Sequence, residues 1–383
     1  MSRVLLIVAL CLLASLVGAT DYYTSPSATG GGTGTYASPF TLQEAADAAV
    51  AGETVFVLAG TYALSATWDL DTNHGNAASA ILFTGRNVST TSTLEMAVIN
   101  GAGAGVGTDA VKLVVEEITF EYLRITAGVD DNIDIASTVH NVQLIGCRID
   151  NAGGDGIQSA NSTGGRYELF QCEIDSNGAN GLSINATLRG SYVLFNCSVH
   201  DNIAHGVYEG SRFNEAAYYR SLFYDNGGDG INFPAGGWGA RIANCTFFGN
   251  TGDGVDFASN WYNIQIESSI FAKNGGYGMN FNSGAVTMLE TTRDICSYLN
   301  TSGHIDINGG TLPGTGHVLA DPAFTSEVDG SEDLTPTNTN LSVERAFPAG
   351  GSDYSYIGAI QPECTGVAGG GGGPLVGPGR LAR

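Results

Sequence analysis

A repeat of 24 or 25 residues constrains this chain more than any other feature. Leu123, Cys147, Cys172, Cys197, Ser221, Cys245 and Ser269 follow one another at spacings of 24, 25, 25, 24, 24 and 24. Three residues before these anchors stand Phe120, Leu144, Leu169, Leu194, Tyr218, Ile242 and Ile266. Two after them stand Ile125, Ile149, Ile174, Val199, Phe223, Phe247 and Phe271, and ten after them Ile133, Ile157, Leu182, Val207, Ile231, Val255 and Met279. Glycine stands nine after the anchor in six of the seven units, and asparagine stands five after it in five, from Asn177 to Asn274. An eighth, degenerate unit follows with Ile295, Asn300, Ile305 and Ile307.

Inside a unit the apolar residues alternate, as in Val142-x-Leu144, Cys147-x-Ile149 and Ile231-x-Phe233. Period two means strand, and the stretches are too short and too broken by glycine for helices. Three short strands per unit, with like residues recurring in every unit, predict an all-β chain wound as a single parallel β-helix. Its coils stack at the strand spacing of about 4.8 Å. No coil can bury its apolar face alone, so stacking supplies the stability. The asparagines then form an internal ladder of amides that bond one another, a structural role rather than a catalytic one. The recurring glycines allow a positive φ or a close approach at a turn. Cys147, Cys172, Cys197 and Cys245 are expected as unbridged packing residues, because parallel side chains about 4.8 Å apart exceed the reach of a disulfide. Cys296 and Cys364 lie outside the ladder and form a candidate pair.

The ends differ from the middle. Residues 1–19, with Arg3, an apolar run from Val4 to Val17 and the small pair Gly18-Ala19, read as a cleavable signal peptide. Thr41 and Glu44 form a capping-box pattern, and Leu42, Ala45, Ala46 and Ala49 give one apolar face. Residues 41–51 are therefore expected as a short capping helix over the N-terminal end. The β-helix domain is placed at residues 20–365, with regular coils over about 118–290. Residues 366–383, with five consecutive glycines and two prolines, read as a flexible tail. The chain carries 38 acidic against 15 basic residues, a formal charge of −23, and only two lysines, Lys112 and Lys273. That balance excludes a nucleic-acid binder, which needs a basic face. No other segment is apolar and long enough to span a membrane, so a secreted or cell-surface protein is expected.

The unit Asn250-Thr-Gly-Asp-Gly254-Val255 is similar to the short repeat of the pectate-lyase-like superfamily of right-handed parallel β-helices. Ser38-Pro-Phe-Thr-Leu-Gln-Glu-Ala-Ala46 with Thr54–Tyr62 resembles the capping helix and first strand of many exported members. Asp321–Phe324 and Tyr356–Ala359 resemble segments that often close such proteins. The resemblance implies a right-handed single-stranded β-helix over roughly residues 21–362. For function it implies polysaccharide lyases, glycoside hydrolases, uronan epimerases, phage depolymerases or adhesins. The paired-aspartate motif of the polygalacturonases and the arginine motif of the pectate lyases are not found in the sequence.

Outward positions carry any site. One residue after the anchor stand Arg124, Arg148, Glu173, Ser198, Leu222, Thr246 and Ile270; three after stand Thr126, Asp150, Asp175, His200, Tyr224, Phe248 and Ala272. The early coils thus gather both charge signs and a histidine on one face. Asp150, Asp175, His200 and Arg148 are the candidate catalytic residues, since close carboxylates with a histidine suit acid/base work on a glycosidic bond. Asp150, Glu173 and Asp175 are the candidate Ca²⁺ ligands. Arg124, Glu173, Tyr224 and Tyr208 are the candidate substrate-binding residues, with Trp238 and Trp261 as further stacking rings. A second patch gathers His205, Tyr208, Glu209 and Arg212. The expected partner is an extracellular polysaccharide, bound and, if the chain is an enzyme, cleaved by a lyase or hydrolase reaction. The alternative is a non-catalytic surface, adhesion or phage-derived structural protein.

Overall fold

The computed structural model describes residues 20–337 apart from 74, 77, 86–95, 106, 137–138, 161–164, 186–190, 211–214, 260, 282–288, 308–313, 316 and 329–331. The expected export segment 1–19, the tail 366–383, Tyr356–Ala359, Cys364 and Arg212 lie outside the described residues.

The strands form three long parallel sheets, which we call walls. The first has twelve strands, from Asp21–Thr24 through Val142–Ile145 to Gly314–Thr315. The second has ten, from Gly60–Ala63 through Arg148–Asp150 to Cys296–Tyr298. The third has ten, from Trp68–Leu70 through Ile157–Ser159 to Gly303–Asp306. The chain visits first, second and third wall in turn, and each strand pairs with its counterpart one coil on, as the repeat requires. Ile149 pairs with Ile125 and Ile174, Leu144 with Phe120 and Leu169, and Ile157 with Ile133 and Leu182. All these residues point inward and are buried. Phe223, Phe247 and Phe271 stack at centroid distances of 5.0 and 4.8 Å, close to the strand spacing itself.

The asparagine ladder is continuous. Asn177, Asn202, Asn226, Asn250 and Asn274 each donate from Nδ2 to the Oδ1 of the next rung at 2.8–3.0 Å, ending on Asn300. Each Nδ2 also donates to a backbone carbonyl, as Asn226 does to Val199, and each Oδ1 also accepts a backbone N–H of the previous coil. At the coil that has Ala152 in place of asparagine, Asn132 of the coil before reaches across to Asn177. The repeated glycines serve close approach alone. Gly181 has no positive φ, but a Cβ there would meet the Gly206 carbonyl oxygen at 2.6 Å.

The left-handed corners fall elsewhere, mostly on residues with side chains, with Gly146 and Gly249 the glycines among them. The residue before each anchor and the residue four after it take positive φ, as at Gln171 (φ 55°) and Ser176 (φ 57°). These two bends bracket the three-residue strand of the second wall and give it sharp ends. Asparagine and aspartate tolerate them well, while Arg220, Lys273 and Leu299 adopt them at some cost.

The four ladder cysteines are buried and unbridged; each thiol donates to a carbonyl, Cys172 to Leu144 at 3.5 Å. Cys296 is also a free thiol and points outward, bonded to the Ala320 carbonyl. The N-terminal helix spans Leu42–Ala48, shorter than the expected 41–51, because Ala49 already has extended backbone. Thr41 and Glu44 make the capping box, and the helix packs on Trp68, whose Nε1 donates to the Leu42 carbonyl. Among the described residues, no helix is long and apolar enough to cross a membrane.

Candidate functional site

The register of the second wall aligns the outward residues as the repeat predicts. Arg148 lies between Arg124 and Glu173, and Asp150 between Thr126 and Asp175; Glu173 pairs on with Ser198, and Asp175 with His200. Three-residue strands between two left-handed corners hold these side chains side by side.

They do not stand as free charges. The Arg124 guanidinium forks onto Asp150 of the next coil, with Nε donating to Oδ1 at 2.9 Å. Arg148 forks likewise onto Asp175, at 3.0 and 2.9 Å. Arg148 also lies 3.7 Å from Asp150 and 3.9 Å from Glu173. Asn151 donates to Asp150 and Ser176 to Asp175. The Asp150 side chain is 0% exposed, whereas that of Arg148 is 37% exposed. Carboxylates are thus below and guanidinium edges above.

His200 closes the row. Its Nδ1 is 2.7 Å from Asp201, its Nε2 3.5 Å from Glu173, and its ring stacks on Tyr224 at 4.4 Å. Burial works against a charged imidazole here, but Asp201 and Glu173 outweigh it and raise His200 to about 9. The same contact with His200, helped by Arg148, holds Glu173 below the ordinary glutamate value. Burial raises Asp175, checked by the Arg148 fork. Burial would also lower Arg148, but Asp175, Glu173 and Asp150 raise it instead.

The arrangement does not fit the expected Ca²⁺ set. Among Asp150, Glu173 and Asp175, the cation is Arg148, which lies within 4 Å of all three. The group whose ligand atoms do converge is Glu173, Asp175 and His200, which brings in a nitrogen donor where Ca²⁺ prefers oxygen.

Tyr224 is not the open platform expected of it. It is 7% exposed and lies with Leu222, Phe248, Ile270 and Ala272 in a second apolar cluster, packed against Val318, Phe324 and Leu334. The antiparallel pair Phe324–Ser326 and Asp333–Pro336 supplies that cover. Tyr208 belongs to the third wall, where it stacks on His205, and so is not brought to this face. Glu209 leaves the expected second patch altogether, because it shares the inward parity of Val207 and is fully buried in the core. Trp261 is likewise buried, whereas Trp238 is exposed.

A family model described as the right-handed β-helix region matches residues 184–304. The chain is a right-handed parallel β-helix. Among solved structures, this β-helix is similar to the pectate lyase Pel9A, at 17% identity over 82% of this chain and 84% of that one, with a TM-score of 0.61. It is also similar to a rhamnogalacturonan lyase, at 12% identity over 81% and 91% and a TM-score of 0.52. At such identities the likeness is one of fold. No curated protein sequence matches the β-helix.

Two features escaped the sequence reading. Asp201, at the corner after His200, was legible only as an adjacent residue whose bend turns it back onto the imidazole. A second polar ladder runs along the turn into the third wall, eight residues after each anchor. Asp131, Asp155, Asn180, His205, Asp229 and Asp253 each accept the backbone N–H of the next rung through a side-chain atom. The run of Asp, Asn and His at that position was its signal. It gives His205 and the Gly-Asp-Gly turns a structural task.

Proposed function

We propose that this β-helix is an exported polysaccharide-binding protein of the surface or adhesion type, and that it holds sugar along the outer face of Arg124, Arg148 and Glu173. The observation that carries this reading is the pair of forked arginines. Each guanidinium is anchored from below by an aspartate, so its outer N–H edge is pre-oriented toward solvent on consecutive coils. Pre-orientation lowers the ordering cost of binding. Sugar hydroxyls accept from these edges and donate to Glu173, and a uronate carboxylate pairs with a guanidinium. Arg148 takes the place among the carboxylates that a metal would otherwise fill, so binding is independent of Ca²⁺.

Binding without cleavage is favoured because the acid/base candidates are already committed. Asp150 and Asp175 are forked by arginines, and Glu173 and His200 face each other. One observation supports cleavage as a second reading: His200, kept protonated between Glu173 and Asp201, is a stored proton donor for a lyase or hydrolase step.

The test is a panel of neutral and uronate polysaccharides, scored for retention and for depolymerisation, with and without EDTA. The expected result is retention of at least one polymer, unchanged by EDTA, with no fragments. Arg148→Gln should weaken retention at least tenfold. Equal retention by Arg148→Gln, or loss with EDTA, overturns the proposal. Fragments that vanish in His200→Gln establish the second reading.

A further inference from the structure

Trp238 plays no part in the charged face, yet it is 56% exposed, whereas Trp68 and Trp261, the other two tryptophans, are buried. It is not a loose side chain. Gly237–Trp238 pairs in parallel with Trp261–Tyr262 of the next coil, and the indole stacks on the Tyr262 ring at 4.6 Å and 15°. Buried Trp261 fixes the backbone beneath. Its Nε1 donates to the Ala235 carbonyl at 2.6 Å, and its ring lies so close to Gly237 that a Cβ there would meet it at 2.6 Å. Trp261 is itself wedged against Phe233 and Phe257. The result is a two-rung aromatic ledge held rigidly in water.

The ledge lies where the third wall passes to the first, across the solenoid from the second wall. Exposed Arg241 follows on the first wall, paired in register with Gln265 of the next coil. A rigid flat apolar face bordered by polar side chains marks a binding surface more than an accident of composition. Because one indole face lies against Tyr262, the apolar face left open is about one ring, far below the roughly 800 Å² per partner that a stable protein interface needs. A pyranose ring matches it: the C–H face covers the indole, and the equatorial hydroxyls reach the polar border.

We propose that Trp238 and Tyr262 form a sugar-stacking subsite, separate from the charged face and independent of it. Because Trp68 and Trp261 are buried, acrylamide quenching of tryptophan fluorescence in the full chain reads Trp238. Cellohexaose, xylohexaose and hexagalacturonate serve as probes. At least one is expected to lower the quenching constant threefold or more. Trp238→Ala should remove the quenchable emission and weaken that oligosaccharide at least tenfold by calorimetry. Trp238→Phe should retain most of the affinity, and Arg148→Gln should leave protection of Trp238 unchanged. Protection by none of the three probes overturns the proposal, as does equal affinity in Trp238→Ala. Protection that rises with protein concentration alone, with dimers in sedimentation, makes the ledge a contact between copies and also overturns it. Should Trp238→Ala fail to fold, quenching protection in the parent and affinity in Trp238→Phe decide the matter.

Discussion

The second wall presents two halves with one backbone and opposite exteriors. Over the coils of Arg124 to His200 its outer face is charged, and the guanidinium edges stay open to water. Over the coils of Leu222 to Cys296 it is apolar and lies under Val318, Phe324 and Leu334. The inward row does not change character across that boundary: Ile125, Ile149, Ile174, Val199, Phe223, Phe247 and Phe271 are all buried in register. The comparison teaches that each rung separates two tasks. The inward side chain maintains the winding, and the outward one is free to face water or to receive a covering segment. His200 stacked on Tyr224 is the seam.

The sharpest way to break this comparison is to uncover the apolar half. Leu334→Asp places a charge against Leu222, Tyr224 and Phe248, at a cost of about 3–4 kcal/mol. We expect the hairpin to detach, dye binding to exposed apolar surface to rise, and the charged half to keep its ion pairs. A variant without new dye binding would mean the cover is not held by its apolar contacts.

The interior offers the next test, because a buried carboxyl interrupts its uniformity. Glu209 is fully buried, its Oε1 receives the Tyr218 hydroxyl, and its Oε2 has no partner. Burial raises it to about 8, only partly opposed by Tyr218. Its folded value exceeds the unfolded one, so the stability it brings is full below about pH 4.5 and fades as pH rises through 8. We expect a loss of about 4–5 kcal/mol across that window, absent in Glu209→Gln. Parallel pH profiles of the two proteins by denaturant unfolding would contradict the buried neutral acid.

Uniformity of the inward side is tested by one amide on each half. Asn202→Ala and Asn226→Ala should each cost about 1–3 kcal/mol, since each leaves a buried neighbour unpaired. Equal shifts in the unfolding midpoint sharpen the comparison; a shift in one alone would show that the halves differ inside as well as outside.

The last test concerns the seam. His200 is raised to about 9, so its contribution is complete below about pH 6.5 and lost as pH rises through 9. We expect a decline of about 3 kcal/mol in that window, missing from His200→Gln. A decline that persists in the variant would belong to another group.

Legibility follows the same division. The inward rows were readable because burial demands the same residue class in every unit, and Ile149, Ile174 and Asn226 recur accordingly. The outward alignment was readable too, since register on one strand fixes both faces. Pairing along the outward row was not. The sequence gives Arg148 and Asp175 as neighbours but does not say that the guanidinium lies over the carboxylate rather than beside an open metal site. Nor was the cover legible, because Phe324 and Leu334 sit beyond the repeat and carry no period. Glu209 escaped for a local reason: its charge suggested an outward position, while the parity of Val207 sent it inward.

The asparagine row has one further consequence. Every amide donates toward the C-terminal side and every rung makes the same connections, so the row has a direction but no preferred length. A globular core saturates as it grows, because its radius grows with it; here the cross-section stays constant while units are added end to end. Deleting one whole unit, from Ser221 to Asn244, would bring Asn202 against Asn250 with the same bonds and leave the arginine forks untouched. Axial reach, counted in coils, is thus the quantity this architecture leaves free to vary.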